Sequence, residues 1–149
     1  MADIKLKYQS AVQGLNVTGF NSLAGGSYVA SDAVDNQSDL FIDVMVEVVV
    51  ADMAESTNCQ VVVYAIDSVD GTNFSTYTAA PQNMRLLGVV PMTSGSTGPW
   101  RSAMMSLASA FGGVIPPKWK VVILNDNGST ALAGSSNTVQ YRGVHYQSV

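Results

Sequence analysis

The longest unbroken alternation in the chain runs over residues 40–50, LFIDVMVEVVV. Side chains of a strand change face at every residue, so Leu40, Ile42, Val44, Val46, Val48 and Val50 point one way, and Phe41, Asp43, Met45, Glu47 and Val49 the other. Six of these eleven residues are Val or Ile, whose branched Cβ atoms favour strand over helix. The pattern predicts a long strand with one aliphatic face filling a core and one mixed, partly exposed face. Residues 59–68 follow as a second strand. There Val62, Tyr64 and Ile66 oppose Val61, Val63 and Ala65, and two apolar faces predict a central strand buried on both sides. Residues 118–125 place Trp119, Val121 and Ile123 on one face of a third.

Turn chemistry separates these runs. Asp35-Asn36-Gln37-Ser38 reads as a polar turn opening the first strand. Asp70-Gly71 is a dipeptide favoured where a tight hairpin needs positive φ, and it predicts a short return strand over residues 74–78. Residues 85–92 form a further apolar strand bounded by Pro81 and Pro91. Residues 100–107, WRSAMMSL, fit either a strand or a helical turn. Asn127-Gly128 marks a turn, residues 131–133 are a short apolar piece, and residues 137–149 alternate again. A strand so near the terminus needs a partner, which places the end in a sheet.

Residues 1–34 differ from the rest. Ile4, Leu6 and Tyr8 alternate with Lys5 and Lys7, and after them Gly14, Gly19, Gly25 and Gly26 interrupt brief apolar pieces. Two readings stand: an extended N-terminal arm that lies across the domain or reaches a neighbour, and an irregular lead-in to the sheets. The organisation taken forward is an arm over residues 1–34 and a β-sandwich over residues 35–149.

About eight strands separated by turn signals, with no amphipathic helix of three turns, indicate an all-β antiparallel sandwich of jelly-roll or immunoglobulin-like kind. The single cysteine, Cys59, cannot supply the Cys…Trp…Cys hallmark of immunoglobulin domains. Eight strands and a long lead-in favour the jelly roll.

Composition sharpens this picture. Charged residues are only 12% of the chain, about half the usual share, and hydrophobic residues are 47%. Such a weakly charged exterior suits packing against copies of itself or a larger assembly. The net charge of −4 argues against a nucleic-acid backbone as partner. No run approaches the roughly 18 apolar residues of a membrane helix, and the N-terminus shows no signal-peptide core. One cysteine forms no internal disulfide, as suits a reducing cytoplasm. Acids crowd the stretch between Tyr8 and Met84, which holds no Lys or Arg, whereas Arg85, Arg101, Lys118, Lys120 and Arg142 follow it. The two blocks either pair across the fold or lie on separate faces and favour head-to-tail contact.

Candidate chemistry is sparse. Asp43 and Glu47 share a strand face about 13 Å apart, too far for a glycosidase pair. His145 is the only histidine, no G-x-S-x-G elbow is present, and one His with one Cys makes no usual zinc site. Neither a calcium loop nor a phosphate-binding glycine motif occurs. The expectation is therefore a protein that is not an enzyme and has no cofactor, metal site or catalytic residue. Trp100, Trp119, Tyr64, Tyr141 and Tyr146 offer a sugar-stacking platform, the basis of an alternative role as a tail- or fibre-associated module binding host glycans.

In the C-terminal half, residues 114–128, VIPPKWKVVILNDNG, with Ala131-Leu132-Ala133, Asn137-Thr138-Val139 and Tyr141-Arg142 after them, resemble small β-sandwich virion proteins of tailed bacteriophages. The turn Val69-Asp70-Gly71-Thr72-Asn73-Phe74 fits as well, while residues 133–137 depart from that group's order. The resemblance spans residues 38–142 and implies a capsid decoration or cement protein. Such a protein binds the outer head surface, bridges major capsid proteins and is made in the host bacterial cytoplasm. It also implies self-association, with a trimer preferred; charge and hydropathy leave the expectation of no nucleic-acid and no membrane partner. The residues expected to meet a partner are Ile4, Lys5, Leu6, Lys7 and Tyr8 on the N-terminal strand, and Phe41, Asp43, Met45 and Glu47 on the mixed face of the long strand.

Overall fold

The computed structural model describes residues 3–51, 59–78, 83–94 and 96–148. In chain order the strands are β1 (Ile4–Tyr8), β2 (Gln13–Leu15), β3 (Tyr28–Ala30), β4 (Val34–Asp35), β5 (Asp43–Val50), β6 (Cys59–Ser68), β7 (Arg85–Met92), β8 (Trp100–Arg101), β9 (Met105–Ser106), β10 (Lys118–Asp126) and β11 (Thr138–Ser148). Two single-turn helices, α1 (Asn36–Asp39) and α2 (Leu107–Ala110), interrupt them. All pairings are antiparallel.

The first sheet runs β1-β11-β5-β8, with β2 also on β11 and β9 also on β5; the second runs β3-β10-β6-β7, with β4 also on β10. Taking β1 with β2, β3 with β4 and β8 with β9 as interrupted single strands leaves eight positions, ordered 1-8-3-6 and 2-7-4-5. Eight strands in two sheets wound in this way make a jelly roll. The chain is an all-β sandwich, as its alternation indicates.

The core lies between the sheets. Val44, Val46, Val48 and Val50 of β5 are fully buried there, facing Val61, Val63 and Ala65 of β6 and Trp119, Val121 and Ile123 of β10. The second face of β6 is closed in part: Ile66 is fully buried and Val62 nearly so, while Tyr64 between them is half-buried. The return strand expected at residues 74–78 does not form. The Asp70-Gly71 turn is present, with Gly71 at φ +75, but β6 pairs with β7 instead. Phe74 turns onto the outer side of the second sheet, where the Lys120 ammonium sits 4.4 Å from its ring centre. Pro91, expected to bound β7, lies inside it opposite Gln60. Its missing N–H is tolerated because β7 is an edge strand.

The alternation over residues 40–50 breaks at its start. The Asp35 side chain accepts the Gln37 N–H at 2.9 Å and caps α1, and Leu40 closes that turn in the left-handed region at φ +51. The expected alternation holds from Val44 onward, and the irregularity is confined to the residues before it. Leu40 is 71% exposed, whereas Phe41 turns into the core at 6%. The Asn36 amide replaces the missing strand neighbour: its Oδ1 accepts the Phe41 N–H at 2.9 Å and its Nδ2 donates to the Phe41 carbonyl at 3.0 Å. The Phe41 ring packs directly over Gly143, filling the space where that residue has no side chain.

Residues 3–34, expected as an arm, contribute to both sheets. β1 and β2 edge the first, β3 pairs with β10, and Leu15, Phe20 and Leu23 belong to the core. Residues 100–107 carry both features their sequence allows, two short strands followed by the start of α2. Between the two strands Ser102 continues the pairing: its N–H donates to the Val48 carbonyl and its hydroxyl accepts the Val48 N–H, each at 3.0 Å.

Candidate functional site

The register of the first sheet decides which of the anticipated residues meet. β11 pairs with β5 so that Val144 lies opposite Asp43, Arg142 opposite Met45 and Gln140 opposite Glu47. On its other edge, Tyr8 lies opposite Val144, Leu6 opposite Tyr146 and Ile4 opposite Ser148. Directly opposed residues share a face, so Ile4, Leu6, Tyr8, Asp43, Met45 and Glu47 all lie on the outer side of this sheet. Lys5 and Lys7 lie on the reverse side of β1, opposite Gln147 and His145. Phe41 does not join them. Its buried ring is part of the core and is corrected from partner surface to packing residue.

The two acids of β5 are held by structural bonds. Asp43 Oδ1 accepts the N–H groups of Val44 at 2.7 Å and Ala108 at 2.9 Å, and its Oδ2 accepts the Ser106 hydroxyl at 2.7 Å. This carboxylate therefore ties α2 and β9 to β5. Glu47 Oε1 accepts Arg101 Nη1 at 2.8 Å and Gln140 Nε2 at 2.7 Å. The Glu47–Arg101 pair, with Lys118–Asp35 at 3.6 Å, joins the acidic first half of the chain to the basic second half. Among the described residues no three His, Cys, Asp or Glu side chains cluster as a metal site requires.

A cluster of exposed apolar side chains lies where β1 and β11 run past the sandwich. β5 accompanies β11 only as far as Val144, while β1 accompanies it to Ser148. Beyond Val144 the sheet is a two-stranded ribbon, exposed at every residue of β1. Its outer face presents Ile4 (73% exposed), Leu6 (64%), Tyr8 (52%) and Tyr146 (64%). A two-stranded ribbon is marginal in water by itself, and clustered exposed apolar side chains of this size mark interaction surfaces. The face runs on into a groove of about 400 Å³ lined by Tyr8, Val12, Met45, Met104, Arg142 and their neighbours. No carboxylate lies within ion-pair distance of Arg142 among the described residues.

Val12, Met104 and Arg142 were not anticipated as partner residues, and Tyr146 only as part of the glycan platform. Their signal appears only once the N-terminal strand is known to pair with the C-terminal one. The aromatic platform is not assembled. Trp119 is fully buried and meets Tyr141 edge-on, with centroids 5.6 Å apart at 85°. Burial, followed by the charge of Asp39, pushes the Tyr141 hydroxyl pKa above its ordinary value. Trp100 is half-buried and packs on the core. His145 lies beside Phe41, with ring centres 6.5 Å apart.

No protein-family model matches the chain, and no curated protein matches it. Among solved structures it is similar to a chain of desmodium yellow mottle tymovirus, at 10% identity and a TM-score of 0.46, over 99% of this chain and 88% of that one. A likeness of that degree carries no argument about role, and the jelly-roll order rests on the strand pairing described above.

Proposed function

We propose that this chain is a non-enzymatic structural protein of a virion, a decoration or cement protein on the outer head surface of a tailed bacteriophage. The observation that carries this reading is the apolar outer face of the β1–β11 ribbon, which projects from a jelly-roll body and continues into the groove at Met45 and Met104. The sequence resemblance over residues 38–142 supports the same role. In this reading the ribbon docks on major capsid proteins and bridges them, and the protein is made in the host bacterial cytoplasm before joining the shell.

The mechanism is linkage. A protein that binds only the assembled shell lowers that shell's free energy by RT ln(1 + [L]/Kd), about 2.7 kcal/mol per site at a hundredfold excess over Kd. Summed over many sites, added contacts resist internal pressure without chemistry.

Labelling the protein in intact particles and imaging them by electron microscopy tests the location. Label on the head surface is expected; label confined to tails or fibres refutes the reading. Leu6→Asp with Tyr146→Lys tests the surface. The two side chains are exposed and directly opposed, and unlike charges at opposed positions support the strand pair, so melting should be unchanged while occupancy on heads is lost. Normal occupancy of the double variant overturns the assignment of the ribbon.

A further inference from the structure

β1 is the terminal strand of the first sheet and pairs with β11 alone among the described residues. Its outer edge therefore presents backbone N–H and C=O groups without strand partners. An open edge is a template for another strand, and its side chains constrain which strand fits. Ile4, Leu6 and Tyr8 occupy one face, and Lys5 and Lys7 the other. Neither lysine has a carboxylate within ion-pair distance among the described residues. Two positive charges within five residues stand out in a chain of net charge −4.

We propose that the free edge of β1 receives one extended segment of a partner protein in which apolar residues alternate with Asp or Glu. A strand added beside β1 shares its period of two, so one set of its side chains lies beside Ile4, Leu6 and Tyr8 and the other beside Lys5 and Lys7. Apolar residues complete the first row and carboxylates the second. A second copy of β1 paired along its full length fails the same test. Antiparallel pairing centred on Leu6 keeps the apolar rows together only by setting Lys5 opposite the partner's Lys7. Parallel pairing in register sets each lysine beside its equivalent. Like charges directly opposed destabilise a strand pair, so full-length self-pairing is disfavoured where an acidic strand is accepted. The selectivity is thus built from a repulsive element as well as an attractive one. The inference rests on the ribbon being the docking element, and not on the identity of the assembly.

The probe is a fluorescently labelled nine-residue peptide alternating Val and Glu, with Val/Lys and scrambled peptides as comparisons, titrated against the full chain. The Val/Glu peptide should bind, slow amide hydrogen exchange across residues 4–8, and bind at least about tenfold more tightly than the Val/Lys peptide. Lys5→Glu with Lys7→Glu should reverse the order of the two peptides. Both lysines are exposed, so a thermal melt should show the variant folded; Lys5→Gln with Lys7→Gln, which should abolish the preference, serves as a second variant. Equal binding of all peptides, no binding at millimolar concentration, or protection away from β1 overturns the proposal. If these peptides fail while Leu6→Asp with Tyr146→Lys still clears the protein from heads, strand addition is wrong and head attachment stands. If the peptides succeed but the protein is absent from heads, only the virion reading falls.

Discussion

Gly143→Ala tests the assignment of Phe41 to the core. Gly143 lies within β11 opposite Val44, and a Cβ added there would clash with the edge of the Phe41 ring. Its φ is not in the left-handed region, so the cost is steric and not one of backbone strain. The ring cannot swing out freely, because it is 6% exposed and its residue's backbone is pinned at both polar groups by Asn36. Forcing extra volume into a packed core costs about 1–3 kcal/mol, and complete loss of a buried Phe about 3–5 kcal/mol. Gly143→Ala should therefore destabilise by roughly 2–4 kcal/mol, between partial accommodation and expulsion of the ring. Phe41→Ala alone should cost about 3–5 kcal/mol. In the double variant the new methyl enters the vacated space, so the combined loss should fall short of the sum by about 1–3 kcal/mol. Urea denaturation followed by far-ultraviolet circular dichroism measures all three, with comparable m-values as the check that midpoints report stability. A neutral Gly143→Ala, or strict additivity, would refute the packing argument and return Phe41 to the surface.

Two further outcomes concern single hydrogen-bonding side chains. The Asp70 carboxyl is held well below the ordinary carboxylate range, first by the Asn73 and Thr72 N–H groups, then by the side chains of Asn73 and Ser68. A lowered folded-state pKa means the bonds stabilise fully above the unfolded value of roughly 4 and are lost as pH falls through the folded value. Asp70→Asn should thus lower the melting temperature near pH 7, and the gap to the parent protein should narrow steadily below about pH 4; a gap that is constant with pH would contradict it. Ser102→Ala removes the acceptor for the buried Val48 N–H and should cost about 1–3 kcal/mol in denaturant titration, whereas a loss under about 0.5 kcal/mol would show that the hydroxyl is dispensable.

Much of the scaffold is legible in the residues because it follows from local periodicity. The alternation of β5 from Val44 onward, the two apolar faces of β6, and Trp119, Val121 and Ile123 of β10 each state which side is buried. Period-two burial requires no knowledge of the strand's partner. Where the reading failed, a non-local or single-residue event intervened. Leu40 looks like one more aliphatic in a strand, yet its left-handed conformation closes α1 and inverts Phe41. The Asp70-Gly71 turn has the right chemistry for a tight hairpin, but among the described residues β6 finds its partner in β7 from Arg85 onward.

The candidate surface divides along the same line. Residue order alone determined that Ile4, Leu6 and Tyr8 share one face and Lys5 and Lys7 the other, because alternation is a property of a single extended strand. Only the tertiary structure decided that this strand lies against residues 144–148, at the far end of the chain, and that the pair outruns β5. It likewise converted Asp43 and Glu47 from open acids into braces for α2, β8 and β11. The physical reason is that strand pairing is a backbone interaction indifferent to sequence separation. The side chains set which face is wet, and the winding of eight strands into two sheets sets which edges stay free.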